Sequence, residues 1–298
     1  MTATILLVRV TTKGTKMPIT DVLIQLSSYP VITSRQCIEQ AVEFSELLGA
    51  RISTLTFELD IQMPKNPLAM TFMDVPGMIA SEEAKGISNT IVLRDVVEDV
   101  ASQRGLPAEH LVTKCHWTEI PDAVTDYARL RDLTIVPIAE PAALQQSIAE
   151  YVIFGSGRPV LILPGAPNVT RPIRLDTIGI AWDFGRAAAR ALSDAIPLLQ
   201  RAREVRVVTV KNERAFETRL SSSDLARHLA LHGVKVTVDE EDARGRSVGD
   251  VLNEYVSDHS LDVLVMGAYG HSRIRDLLLG GATKSIVSSP PLPVFLSH

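Results

Sequence analysis

Arg158-Pro-Val-Leu-Ile-Leu-Pro164 is echoed near the end of the chain by Leu292-Pro-Val-Phe-Leu-Ser-His298. Both stretches join a Pro-Val step to a short apolar run, the pattern of a buried strand bounded by breakers. Each closes the same series of elements, so the chain holds an internal repeat of about 130 residues, too long for a solenoid and right for duplicated domains.

Working back from Pro164, the first half begins with strand 21–26 and a helix carrying Cys37, Ile38, Ala41, Val42 and Leu48 at helical spacing. Thr33 or Ser34 caps that helix and Gly49 stops it. Strand 52–57 follows, and a Met- and Pro-rich loop, 63–77, leads to a helix with Leu93, Val96, Val97, Val100 and Ala101 on one face. Strand 111–117, helix 120–130, strand 133–138, a helix near 144–152 and strand 159–163 complete the half, with Gly155-Ser156-Gly157 read as a turn.

Working forward, Pro164, Gly165, Pro167 and Pro172 mark a linker. The order then restarts with strand 175–182, an alanine-rich helix 186–203 that Pro197 should bend near its end, and strand 205–210. Helix 224–232, strand 234–238, helix 248–256, strand 261–266, a glycine-rich segment, a helix through Ile286 and strand 293–296 follow. Strands alternating with helices imply parallel strands, right-handed crossovers and helices on both faces. The expectation is an α/β chain of two tandem doubly wound domains, 18–164 and 172–298, joined by linker 165–171. Residues 2–16 match no element of the repeat and Met17-Pro18 directly precedes the first strand, so 1–17 read as a dispensable extension with Met17 as the physiological start.

A net charge of −5 with 5% aromatic residues supplies neither the basic stripe nor the stacking platform of a nucleic-acid binder. No run approaches the roughly 18 uncharged apolar residues of a membrane span. Cys37 and Cys115 are far apart and outside any CxxC spacing, so they offer no disulfide framework and no thiolate metal site, and a reducing cytoplasm is the expected location. His228 and His232 have a chelating spacing, but no HExxH or carboxylate-cysteine set accompanies them, and they read as a solvated helix face.

In doubly wound sheets ligands sit beyond the carboxyl ends of the strands, where the strand order reverses. The segment after the fourth strand of the second half runs from Met266-Gly267 through Gly270-His271-Ser272-Arg273 and Asp276 to Gly280-Gly281-Ala282-Thr283. Glycines let a backbone approach an anion closely, and free N–H groups at a helix start add partial positive charge, a combination suited to a di- or triphosphate. The same glycines also serve as a strand end, a turn and a helix start, so spacing alone leaves both readings open.

A G-x-x-G, nine residues, then G at the end of a five-stranded α/β unit resembles the universal stress protein family, whose ATP-binding members carry G-x-x-G-x9-G-[ST]. Gly267, Gly270 and Gly280 fall on that pattern, while Gly281 stands where Ser or Thr is usual. The resemblance implies Rossmann-like sheets of strand order 3-2-1-4-5, and covers both halves in architecture but only the second in motif. It implies ATP, with or without Mg²⁺, held by Asp183, Met266, Gly267, Gly270, His271, Gly280, Gly281, Ala282 and Thr283. Thr283 would replace the missing hydroxyl, His271 and Arg273 would add donors, and Asp183 would accept from the adenine amine or simply cap the next helix. The first half has Leu26-Ser27-Ser28-Tyr29 and Ile138-Ala139-Glu140-Pro141 at the corresponding places, with neither acid nor glycines.

The function so implied is a cytoplasmic stress-response or regulatory protein that binds ATP in its C-terminal domain. A slow ATPase or nucleotide-dependent transferase using Asp183 or Asp276 is the enzyme alternative, and a scaffold without nucleotide is the third. No residue is assigned a catalytic role. The similar fifth strands, 160–163 and 294–296, are expected to pair within the chain, and a homodimer of whole chains and a protein partner stay open.

Overall fold

Strand β1 (Asp21–Gln25) sends Val22 and Ile24 into one apolar layer and Leu23 into another, the period-two alternation of a strand buried on both faces. The computed structural model describes residues 18–61, 74–139, 142–165, 172–211, 219–268 and 286–298. After β1 come α1 (Arg35–Leu48), β2 (Arg51–Leu59), α2 (Val75–Gln103), β3 (Ala108–Cys115), α3 (Ile120–Ala128), β4 (Leu133–Ile138), α4 (Ala143–Gly155) and β5 (Val160–Pro164). The second half holds β6 (Thr177–Ala181), α5 (Arg186–Leu199), β7 (Glu204–Lys211), α6 (Ser222–Leu231), β8 (Val236–Asp242), α7 (Val248–Asp258), β9 (Val263–Gly267) and β10 (Val294–Ser297).

Local signals account for most boundaries. Ser34 accepts from the Cys37 N–H at the start of α1, and Gly49 ends it in the left-handed region at φ 68°. Helix α2 begins at Val75, well before its apolar stripe, because Asp74 caps it and accepts from Gly77 N–H. Its first turns bury no residue before Gly86, so they leave no apolar period to read.

The described strands form one ten-stranded sheet in the order β3-β2-β1-β4-β5-β10-β9-β6-β7-β8. The expected pairing of the two fifth strands is thus present, and it joins the five-stranded halves, each in the order 3-2-1-4-5, into one sheet rather than leaving two. The seam is the β5–β10 pair, antiparallel with Val294 opposite Ile162 and Leu296 opposite Val160, whereas the other neighbours are parallel. Unpaired, each of these strands would expose a row of N–H and C=O groups on an apolar edge, and pairing satisfies both. Counted outward from the seam, the two halves have the same strand arrangement.

Both core layers cross the seam. Helices α1, α2, α5 and α6 contribute Phe44, Val97, Leu198 and Leu229 to one, which also holds Leu161 and Phe295 of the seam strands. Helices α3, α4 and α7 contribute Val124, Ile148 and Leu252 to the other, with Ile162 and Val294. Direct ties add to this: Arg201, in the turn just after α5, donates to the Leu47 and Leu48 carbonyls at the end of α1, and Ile173 N–H donates to Glu43. Residues 1–17 and linker positions 166–171 lie outside the described residues.

The repeat is also visible in a pair of aspartates. Asp132, just before β4, accepts from the N–H groups of Thr20 and Asp21 at the start of β1. Asp262, just before β9, accepts from those of Asp176 and Thr177 at the start of β6. These matching ties align Gln25 with Ala181, Ser27 with Asp183 and Pro137 with Gly267.

Candidate functional site

Chain direction places the crevice of the second half. Strand β6 lies between β9 and β7 and connects onward to β7, so the strand order reverses between β6 and β9. Ala181 sits opposite Met266 in the ladder, and Trp182-Asp183 and Gly267-Ala268 therefore leave the sheet side by side.

The turn from β6 into α5 is short, residues 182–185. Asp183 Oδ1 accepts from Gly185 N–H at 2.8 Å, and Phe184 takes a left-handed φ of 59°. Gly185 is the N-cap of α5 and supplies no side-chain bond, and the first turn carries no acidic residue. The first N–H groups of α5 thus face the crevice end without a cap of their own.

Gly267 is pressed against that helix start. A Cβ at this position would lie 2.3 Å from Ala188 N, 2.5 Å from the Ala187 carbonyl carbon and 2.9 Å from Ala187 Cβ. Only a residue without a side chain lets the end of β9 pack onto the first turn of α5. Met266, just before it, is buried.

Strand β10 runs into His298, whose Nδ1 is 2.9 Å from the Ala268 carbonyl and whose Nε2 is 3.1 Å from Arg186 Nη2. A guanidinium only donates, so Nε2 accepts and Nδ1 carries the proton given to Ala268. The Phe154 ring, from α4 of the first half, meets the imidazole in a T-shaped contact with ring centroids 4.9 Å apart. Sequence reasoning singled out none of Arg186, His298 and Phe154. The available signal was a basic residue in the first turn of a helix, where an acid is the favoured choice.

At the matching place of the first half the chain closes over itself. The β1–α1 connection is longer, residues 26–34, and includes a cis Tyr29-Pro30 bond. Thr33 Oγ1 accepts from Ser27 N–H at 2.8 Å, and Thr33 N–H donates back to the Ser27 carbonyl at 2.9 Å. Gln145 reaches from α4 to donate to Ser27 Oγ at 2.8 Å, Ser28 Oγ donates to the Phe57 carbonyl at 2.6 Å, and Asn89 donates to the Ser28 carbonyl at 2.8 Å. A hollow of about 10 Å³ lined by Gln25, Ser28 and Tyr29 remains, room for one water.

The structure therefore brings Asp183, Met266 and Gly267 together at one crevice. Gly270, His271, Gly280, Gly281, Ala282 and Thr283 lie outside the described residues, as do Arg273 and Asp276. His228 and His232 face each other with ring centroids 4.9 Å apart, but among the described residues no three His, Cys, Asp or Glu are placed to hold a metal. Among the described residues no helix is long and apolar enough to cross a membrane.

Residues 174–298 match the model of the Universal stress protein family. A 45-residue stretch is 40% identical to Universal stress protein Slr1230 of Synechocystis sp. (strain ATCC 27184 / PCC 6803 / Kazusa), covering 15% of this chain and 16% of that relative. Among solved structures, a universal stress protein from Archaeoglobus fulgidus DSM 4304 superimposes with a TM-score of 0.65 at 17% identity, over 93% of this chain and 96% of that one. A putative universal stress protein from Pseudomonas aeruginosa UCBPP-PA14 gives 0.54 at 14% identity, over 94% and 93%. The fold is thus similar to these across both halves.

Proposed function

We propose that this chain, which belongs to the universal stress protein family, binds one ATP in the crevice between β6 and β9 and acts as a nucleotide-responsive regulatory protein in a stress response. One observation carries this reading. At the point where the strand order reverses, the second half sets Gly267 against an uncapped helix start, whereas the first half fills the same place with its own side chains.

In the proposed complex the glycine segment that leaves β9 wraps the phosphates, with Gly267, Gly270 and Gly280 giving close backbone approach and Thr283 a hydroxyl. Asp183 accepts from the adenine amine while its Oδ1 holds Gly185, since a carboxylate takes several hydrogen bonds. Mg²⁺ would enter with the phosphates rather than through a protein cage. The reading assigns binding, not turnover.

A second reading, a scaffold without nucleotide, draws on the same glycine: packing against α5 accounts for Gly267 by itself. Calorimetry on nucleotide-stripped chain separates the two. One ATP per chain is expected, with affinity lowered about 5- to 100-fold by Gly270→Val, whose branched side chain obstructs the turn. Two equivalent sites, or full affinity after that substitution, would show that this segment does not hold the ligand. No heat with any adenine nucleotide supports the scaffold.

A further inference from the structure

We infer that Arg186 is a phosphate-contacting residue of this site and that His298 is the residue positioning it, an inference that rests on the ATP reading above. Arg186 occupies the first position of α5, where the aligned peptide dipoles already place partial positive charge and a cation is disfavoured. Among the described residues no carboxylate pairs with it. Arg190, one turn further along the same helix, shows the ordinary arrangement, an ion pair with Asp194 at 2.8 Å.

The partner Arg186 does have is a neutral imidazole. His298 accepts its N–H and in turn donates to the carbonyl of Ala268, the residue after Gly267. Phe154 meets one side of the ring. This bridge sets the guanidinium at the exit of β9, the point from which the glycine segment departs. A guanidinium without a carboxylate and a helix start without a cap therefore sit at one end of the crevice. A polyanion bound there would neutralise both, and a planar fork of donors suits phosphate oxygens.

The effect must scale with phosphate charge. Titrations of the full chain with ATP, ADP and adenosine should show Arg186→Gln weakening ATP about 10- to 100-fold, ADP less, and adenosine not at all. Arg186→Lys should retain part of the ATP affinity. His298→Ala should lose several-fold, and His298→Gln, which keeps one acceptor and one donor, should recover most of that loss. The urea midpoint of Arg186→Gln should be unchanged or raised, because the substitution relieves charge against the helix dipole. Equal losses for ATP and adenosine, or a lowered midpoint accompanying the loss, would make Arg186 a structural residue and overturn the inference. So would unchanged ATP affinity. A wild-type chain that binds neither ATP nor adenosine overturns the nucleotide reading itself.

Discussion

At the end of β1 the chain folds back over its own strand terminus, and at the end of β6 it enters a helix at once. Both places are the same point of the same sheet architecture, where the strand order reverses. In the first half Thr33, Gln145 and Asn89 satisfy the backbone and hydroxyl groups of Ser27 and Ser28. In the second, Asp183 accepts a turn bond from Gly185 N–H and the N-cap of α5 supplies no side-chain bond. The comparison teaches that this fold provides a crevice at the reversal point whatever the sequence, and that connection length and local polar side chains decide whether it is filled.

The sharpest way to break the comparison is to show that the halves are independent. Phe295 is fully buried on the seam strand, opposite Leu161 of β5 and Val265 of β9. Phe295→Ala should cost about 3–5 kcal/mol through lost burial and a cavity. The chain's two tryptophans, Trp117 and Trp182, report on one half each. Single-tryptophan variants followed by fluorescence in urea should shift their midpoints together. Two separate midpoints, only one of them moved, would mean two domains rather than two ends of one sheet.

Gly267→Ala comes next, at about 1–3 kcal/mol or more of folding stability, because the new Cβ meets the backbone of Ala187 and Ala188 rather than a flexible side chain. Pro137→Ala, at the aligned position of β4, should cost less, since that site already accommodates a side chain. Chemical denaturation of both variants checks this, and equal losses would remove the steric distinction between the crevices.

Smaller effects separate Asp183 from Ser27. Asp183→Ala frees Gly185 N–H at the start of α5 and should cost about 0.5–2 kcal/mol, while also narrowing the preference for ATP over GTP in calorimetry. Ser27→Ala removes the acceptor of Gln145 and should cost about 0.5–1.5 kcal/mol with no change in nucleotide affinity. A nucleotide effect from Ser27→Ala would show the first crevice to be functional.

The smallest prediction is a pH dependence. Burial pushes the Asp132 carboxyl up, but hydrogen bonds from Thr20 and Asp21 and the charge of Arg158 outweigh it and hold the group below its usual range. A depressed folded-state value means the contribution is complete above about pH 4 and is lost as pH falls through the folded value. Unfolding measured from pH 6 to pH 2 should show this slope in the wild type and a shallower one in Asp132→Asn. Identical slopes would remove Asp132 from the acid response.

The repeated order of strands and helices was legible in the sequence because the inner strands are buried on both faces and read as short apolar runs, and the helices carry apolar stripes, patterns written within a few residues. Thr33-Ser34 and Gly49 announced the ends of α1 for the same local reason, and the structure gives the cap to Ser34. The asymmetry at the crevices was half legible: the acid and glycines of one half and their absence from the other could be read, and the closure by Gln145 and Asn89 could not. The paired aspartates were present as Asp132-Leu133 and Asp262-Val263, but a strand start gives no periodic signal to draw attention to them.

What the sequence by itself determined was the class of fold, the duplication and the position of the glycine segment, since these depend on residue type and spacing along one stretch. What only the tertiary structure decided was the antiparallel register of β5 against β10, the packing of Gly267 on α5, and the bridge from Arg186 through His298 to Ala268. Each of these joins groups far apart in the chain. Periodicity and propensity report how a residue sits on its own element, and a contact between distant elements exists only once crossovers and register have put them side by side.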